Sequence, residues 1–443
     1  MVSAGVENIR FDDVRSKHLL VALSGGADSV ALLKLMCMQR DELNLQITAA
    51  HLHHGIRGPQ ADEDAAFCRK LCASLEVSLI EERIDVPALA QARGQGLETA
   101  AREIRYDFLR RAKQQCGADL IALAHHLNDQ AETILMHLLR GAGPEGACGM
   151  ARISGDLYRP LLETPKAALM QFLEEAGIGW QEDATNQVSD NPRNALRLHV
   201  LPEIEKSYPS AAAAIARYGR LTRIESDYLE RLTCAFLQKQ LERGPYGQRI
   251  RLCGGEDEAI LRRAIRKIAG RDLAAEKIDA IISLASQTRG KMEISGNLRV
   301  EKTPGYLYFL PAQPVYPEAV PLKIPGETLL SGVCRIIAEE ATFPLEENDP
   351  CTEVFDARLL RGAVLRTRKN GDRIHPLGAP GEKLLSDYLT DRKIDRPLRE
   401  FLPLVACESR ILWACGVGMS HEARIQPDTL RTVRLRINFI TEE

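Results

Sequence analysis

Three groups of residues in this sequence are of types and spacings that could do chemistry. The first is Ser24-Gly25-Gly26-Ala27-Asp28-Ser29, which follows the apolar run LLVAL at 19–23 and leads without a spacer into a second apolar run. Helix N-termini carry unpaired N–H groups and a partial positive charge, so a glycine turn opening a helix suits a phosphate. Gly25 and Gly26 permit close backbone approach, Ser24 and Ser29 add hydroxyls, and Asp28 at the mouth could hold Mg²⁺ on a polyphosphate. A tight strand–helix turn capped by serine is the plain alternative. The second group is Asp129 and Glu132, just after His125-His126; three residues apart, they share one helical face. Such carboxylates can bind an ammonium group or take a proton, or they are ordinary solvated helix charges. The third is HLHHGIR at 51–57, where His51, His53 and His54 look like a metal cluster. Side chains of an extended segment alternate between faces, which favours structural or ligand-lining roles over zinc.

The elements that must position these residues are strands alternating with helices. Short β-rich runs lie at 19–23, 46–52, 77–84 and 120–124, with helix-length segments at 28–40, 60–75 and 97–115 between them. In LETAAREIRYDFLRRA the residues Leu97, Ala101, Ile104, Phe108 and Ala112 form one stripe. This alternation predicts an α/β fold with a doubly wound, mostly parallel sheet and ligands at the carboxyl ends of its strands. Further on, 208–243 reads as one long helix or two broken ones. The segment 259–269 is a helix with Arg262, Arg263, Arg266 and Lys267 on a basic face, suited to a sugar–phosphate backbone or simply to solvent. A strand pair with turns at Ser295-Gly296 and Pro304-Gly305 follows. Prolines between 311 and 350 mark a boundary, and strands with a helix near 382–393 complete the chain.

At 443 residues the chain calls for two or three domains, here 1–205, a mainly helical 206–320 and a small α+β domain over 321–443. A net charge of −3 argues against a molecule that is cationic throughout, while leaving room for local basic faces. Eleven cysteines without any Cys-x-x-Cys favour reduced thiols, Cys68 and Cys72 among them on one helix. There is no apolar run of bilayer length and no secretory leader, so the expected location is the cytoplasm.

Neither a P-loop lysine motif nor a dinucleotide fingerprint is present. The hexapeptide at 24–29 instead resembles the pyrophosphate-binding loop of the N-type ATP pyrophosphatases, the PP-loop superfamily with the adenine nucleotide alpha hydrolase-like fold. Taken with HLHHGIR, ETAAREIRYDFL (98–109), HHLNDQAETILMHLLRGAG (125–143), the stretch 180–202 and GDRIHPLGAPGEKLLSDYLTDRKIDRPLREFLPLV (371–405), the chain resembles the tRNA(Ile)-lysidine synthetase family over nearly its whole length. One departure is Asn128, where that family often has a first aspartate; Asp129 keeps the second.

The resemblance implies an ATP- and Mg²⁺-dependent ligase acting in tRNA modification. The C2 oxygen of the wobble cytidine in the CAU anticodon of tRNA(Ile) is adenylated, and the ε-amine of L-lysine then displaces AMP. The turn Ser24–Ser29 and His51 would hold ATP, with Asp28 on Mg²⁺. Asp129 and Glu132 would hold lysine or act as base. Arg105 would meet the lysine carboxylate or an α-phosphate, unless it pairs with Glu98 or Glu103. Arg193, Asn194 and Arg197 would contact the anticodon loop, or else form an interdomain ion-pair cluster. Arg366, Arg368, Lys369 and Arg373, around the Asn370-Gly371 turn, would bind tRNA. A PP-loop tRNA thiolase and a non-catalytic ATP- or RNA-binding module are the competing readings. The chain length and motifs leave open whether it forms a homodimer.

Overall fold

The computed structural model describes Val6 and residues 9–55, 59–94, 96–181, 192–270, 273–341 and 349–440. Ile56 and Arg57 of the histidine stretch, and 182–191 of the stretch 180–202, lie outside the described residues. The chain divides into two units, residues 1–227 and 228–443.

In the first unit, unbroken apolar runs become strands covered on both faces. β1 (His18–Ala22) pairs in parallel with β2 (Gln46–His53) and β4 (Leu120–Ala122), and β3 (Ser78–Arg83) lies beyond β2. β6 (Leu157–Tyr158) continues the parallel sheet, while β5 (Ile153–Ser154) joins its edge antiparallel, giving the order β3-β2-β1-β4-β6-β5. Between the strands run α1 (Ala27–Met38), α2 (Pro59–Ser74), α3 (Val86–Arg93), α4 (Leu97–Cys116) and α5 (Leu127–Leu139). After them come α6 (Pro144–Ala147), α7 (Lys166–Glu175), α8 (Pro192–Ala195), a π-helical turn at Leu196–Val200, α9 (Leu201–Ser207) and the long α10 (Ala211–Gln240).

Alternate residues of β1 serve opposite faces of the sheet. Leu19 and Val21 pack with Leu32 and Met36 of α1 and Phe172 of α7, whereas Leu20 packs with Ile104, Phe108 and Ala112 of α4. The predicted α4 stripe therefore faces the sheet, except that Leu97 stays 45 % exposed; its partners begin one turn later, at Ala101. The strand order reverses at β1, with β2 on one side and β4 on the other, which opens a crevice above their carboxyl ends.

In the second unit, β7 (Leu241–Gly244), β8 (Gly247–Arg251), β9 (Gly290–Ser295), β10 (Leu298–Thr303) and β11 (Tyr306–Pro311) form an antiparallel sheet ordered β7-β8-β11-β10-β9. α11 (Glu258–Ala269) and α12 (Ala275–Ala285) cover it through Leu261, Ile265 and Ile281. Its helices thus carry a five-stranded sheet, since α10 ends at Gln240 and the next residues turn back as the β7–β8 hairpin. The basic face expected on α11 is largely neutralised: Arg262 bonds Glu258 and Asp279, Lys267 pairs with Glu230, and Arg263 is buried. Beyond residue 320 a four-stranded antiparallel sheet and a mixed sheet share a core around Phe355, Leu365 and Trp413, with a helix at Leu385–Asp391. All eleven cysteines are free thiols, and Cys68 and Cys72 sit in the core beneath β1 and α1.

Candidate active site

The glycine turn is built by its own hydroxyls. Ser29 Oγ donates to the Gly26 carbonyl (2.9 Å), the Ser24 amide donates to Ser29 Oγ (3.2 Å), and the two hydroxyls lie 3.1 Å apart. Gly25 has φ +89°, a region costly for residues with a Cβ, and its carbonyl accepts from the Gln181 amide (2.9 Å). Gly26 is the N-cap of α1 and supplies no side-chain acceptor, so the first amides of α1 are left for a ligand. Above the turn lies a cavity of about 620 Å³ whose lining includes Ser24, Asp28, His51, Arg105, His125 and Trp180.

Several buried polar atoms of that lining have no partner among the described residues: Asp28 Oδ1, His51 Nε2, Arg105 Nε and His125 Nδ1. His51 Nδ1 lies 2.9 Å from the Leu23 carbonyl; a carbonyl only accepts, so Nδ1 carries the proton and Nε2 presents its lone pair. Cys68 Sγ, 3.4 Å from the same nitrogen, closes the floor. His53 Nε2 instead meets Asp62 at 3.2 Å. Burial, reinforced by Arg159, Arg193 and Arg105 and opposed by Asp129, depresses the His125 imidazole to about 4. It is therefore a neutral ring at ordinary pH. Burial lowers the Arg105 guanidinium from its ordinary value, and Glu103 lies near Arg93 at 3.9 Å. The side chain of Glu98 lies outside the described ones.

α5 delivers the acids. His126 is its N-cap and forms a reciprocal capping box: its Nδ1 accepts from the Asp129 amide (3.4 Å), and its own amide donates to Asp129 Oδ2 (3.1 Å). His126 Nε2 stands 3.6 Å from Asp28 Oδ2 and 3.4 Å from Asp129 Oδ2, linking the phosphate turn to the acid pair. Burial would raise the Asp129 carboxyl, but His126, Arg193 and His125 outweigh it and hold the group below the usual carboxylate range. Asn128 uses its Oδ1 to accept from the Lys166 amide (3.2 Å) at the start of α7.

Two arginines complete this cluster. Arg193 Nε donates to Glu132 Oε2 (2.8 Å) and its Nη2 to Asp129 Oδ1 (3.1 Å). Arg197, one turn on, donates to Glu132 Oε1 (2.7 Å) and Oε2 (2.8 Å) and to Asp129 Oδ1 (2.9 Å). The Glu132 side chain is 1 % exposed, but the Arg193 and Arg197 side chains are 28 % and 31 % exposed, so the cluster is closed on the acid side and more open on the cationic one. Arg193 and Arg197, expected on loop phosphates or in an ion-pair cluster, are thus both engaged by the acids here. Asn194 lies between them on α8.

In the second unit, Arg366, expected on tRNA, is placed inside the fold. Its guanidinium is buried, forks onto Asp372 (2.8 Å twice) and donates to the Glu408 carbonyl, so it holds the loop and is closed to RNA. Arg373 donates to Glu382 (3.1 Å), Lys369 is exposed and Arg368 half-buried. Arg399 is held below its ordinary value chiefly by burial, with the charges of Arg368, Arg289 and Arg396 adding to the effect and Asp395 opposing it.

The structure thus brings Ser24, Gly26, Ala27, Asp28, Ser29, His51 and Arg105 into the lining of one cavity, with Gly25 in the turn itself and Asp129 and Glu132 next to it through His126. The functional reading of the sequence did not reach Lys166, Trp180 and Gln181, which also line the cavity. Trp180, one of two tryptophans, opens the polar stretch at 180–202, and that pairing was the signal available.

The chain is similar to known proteins. A model described as the PP-loop domain matches residues 4–204, and one described as the TilS substrate C-terminal domain matches 363–436. The tRNA(Ile)-lysidine synthase of Clostridium acetobutylicum is 31 % identical, covering 96 % of this chain and 96 % of its own length. That of Geobacter sulfurreducens is 32 % identical, covering 95 % and 93 % respectively. Among solved structures, the U34-tRNA thiolase NcsA of Methanococcus maripaludis is 18 % identical with a TM-score of 0.42, over 49 % of this chain and 77 % of that one.

Proposed function

We propose, for a chain that belongs to the tRNA(Ile)-lysidine synthase family, that the cavity and acid cluster of the first unit carry out the two half-reactions of lysidine formation. ATP lies on the glycine turn with its phosphates on the free amides of α1 and the hydroxyl of Ser24. His51 Nε2 and the ring of Trp180 offer an acceptor and an apolar wall to adenine. The unpartnered Oδ1 of Asp28 fits a hard cation such as Mg²⁺, which would neutralise phosphate charge. The C2 oxygen of the wobble cytidine attacks the α-phosphate, pyrophosphate leaves, and a poor leaving group becomes a good one.

Lysine then enters at the acid cluster. Arg193 and Arg197 orient both acids and Asp129 is held below the usual carboxylate range, so one acid can accept an ammonium group while the other takes the proton that the attacking ε-amine must lose. The outward guanidinium edges of Arg193 and Arg197 offer donors to the lysine carboxylate. Arg105, buried with Nε unpartnered, faces charge that develops on the α-phosphate. Lys369, Arg373 and the charges around Arg368 and Arg399 contact tRNA from the second unit.

The observation that carries this reading is the His126 bridge, which sets the phosphate turn and the acid pair a few ångströms apart at the carboxyl ends of the adjacent strands β1 and β4. The test is incubation of the protein with ATP, Mg²⁺, labelled lysine and a transcript of tRNA(Ile) bearing CAU. Label in the tRNA, with AMP and pyrophosphate released in equal amounts, is the expected result. Release of ADP and orthophosphate, or failure of lysine to enter, overturns it.

A further inference from the structure

Behind α5 lies a second cavity, of about 330 Å³, lined by Leu127 and Gln130 of α5, Arg152, and Arg217, Arg220 and Arg223 of α10. Its cations are unequally engaged. Arg152 is held by Asp13 at 2.7 Å. Arg223 donates only to the carbonyls of Cys148 (3.2 Å) and Gly149 (2.9 Å). Arg220 stands 3.8 Å from Glu163, both side chains more than half exposed, and Arg217 is exposed with no partner among the described residues. Three guanidiniums within two turns of one helix are thus faced by a single distant carboxylate, in a chain whose net charge is −3.

The cavity is tied to the acid cluster. A Cβ on Gly219 would overlap Ile134, so glycine there lets α10 lie directly on α5, and Leu127 and Ala131 pack with Ala212 and Ala216. At 100° per residue, Leu127, Gln130, Ala131 and Ile134 occupy one side of α5 and Asp129 and Glu132 the other. The two sites therefore stand one helix diameter apart, about 10–12 Å.

We infer that this α5–α10 pocket is a second RNA site, holding a loop nucleotide that flanks the one presented to Asp129 and Glu132. The inference rests on the reading of the substrate as RNA given above. Arg217 and Arg220 grip the phosphate of that nucleotide with open guanidinium forks. An acidic peptide would use the same cations, and failure of the stem–loop RNA to bind would leave that reading in place of this one.

The test is binding of a fluorescent anticodon stem–loop RNA to the full-length protein, followed by anisotropy over a range of salt. Arg217→Ala with Arg220→Ala should weaken binding about tenfold and flatten the slope of log affinity against log salt by about 0.7 for each phosphate no longer neutralised. Arg217→Lys with Arg220→Lys should restore the slope more than the affinity. With full tRNA, KM for the RNA should rise by more than kcat falls. Binding and slope equal to wild type in the alanine variants would overturn the inference, as would a wild-type protein that does not bind the stem–loop. A wild type that binds it but transfers no lysine would instead defeat the functional reading and leave this pocket standing.

Discussion

Two arginine–carboxylate clusters are buried in this protein, one in each unit, and their surroundings differ. Arg366 and Asp372 are both 3 % exposed and fork onto each other, with the Glu408 carbonyl and the Lys369 amide completing the set. In the first unit Glu132 is equally hidden, but Arg193 and Arg197 keep about a third of their surface and neighbour a cavity lined by unpartnered polar atoms. Residue types and bond lengths are alike in both. What separates a structural pair from a chemical one is access: a closed pair can only hold a loop, whereas an open one can exchange a partner for a substrate.

The comparison is broken or sharpened by substitution. The largest effect is expected at the open cluster, where Glu132→Gln or Asp129→Asn should cut lysine transfer by about 10²–10⁴-fold while adenylation of the tRNA survives better. Measuring AMP release and lysine incorporation separately checks this, and full transfer in either variant would remove that residue from the chemistry. At the closed pair, Arg366→Met should cost about 3–5 kcal/mol of stability by leaving a buried carboxylate unpaired, and Arg366→Met with Asp372→Leu should recover most of it. Urea unfolding measures both; a single variant as stable as wild type would contradict the assignment.

Gly25→Ala should raise KM for ATP about tenfold, because a Cβ at φ +89° is strained by about 1–2 kcal/mol and the turn must shift. An unchanged KM would show that the turn does not hold the nucleotide. A subtler effect concerns pH. His125 has a folded-state value of about 4, below the ordinary 6.5. Between these values the unfolded chain binds the extra proton, so stability is full above about 6.5 and declines as pH falls through about 4. Asp129, also depressed, adds a loss of the same sign at lower pH. His125→Gln should flatten the stability profile between pH 6.5 and 4, which thermal unfolding across that range would reveal. Smallest of all, Arg373→Ala should weaken tRNA binding about twofold, since Glu382 already shares that charge.

Much of the first unit was legible as pattern. The strands around 19–23 and 46–52 have no other way to bury consecutive apolar residues, and the turn at 24–29 opens a helix wherever the sheet forms. The role of Arg193 and Arg197 was not legible. Arginine at 193 looks the same in sequence whether it faces RNA or an acid 61 residues earlier, and only the packing of α8 beside α5 decides. Arg366 is a similar case: a basic loop reads as a nucleic-acid contact until Asp372, six residues on, turns back under it.

Local sequence determined the periodicities, the glycine turn, the acid pair three residues apart on α5 and the absence of paired cysteines, because each depends on neighbours within a turn of helix or a few strand residues. Tertiary structure alone decided which charges meet, which guanidiniums stay open and that a second basic pocket lies behind the acid-bearing helix. Those outcomes depend on distances between segments tens to hundreds of residues apart, and the free energy of a charge is set by the burial and partners it finds there.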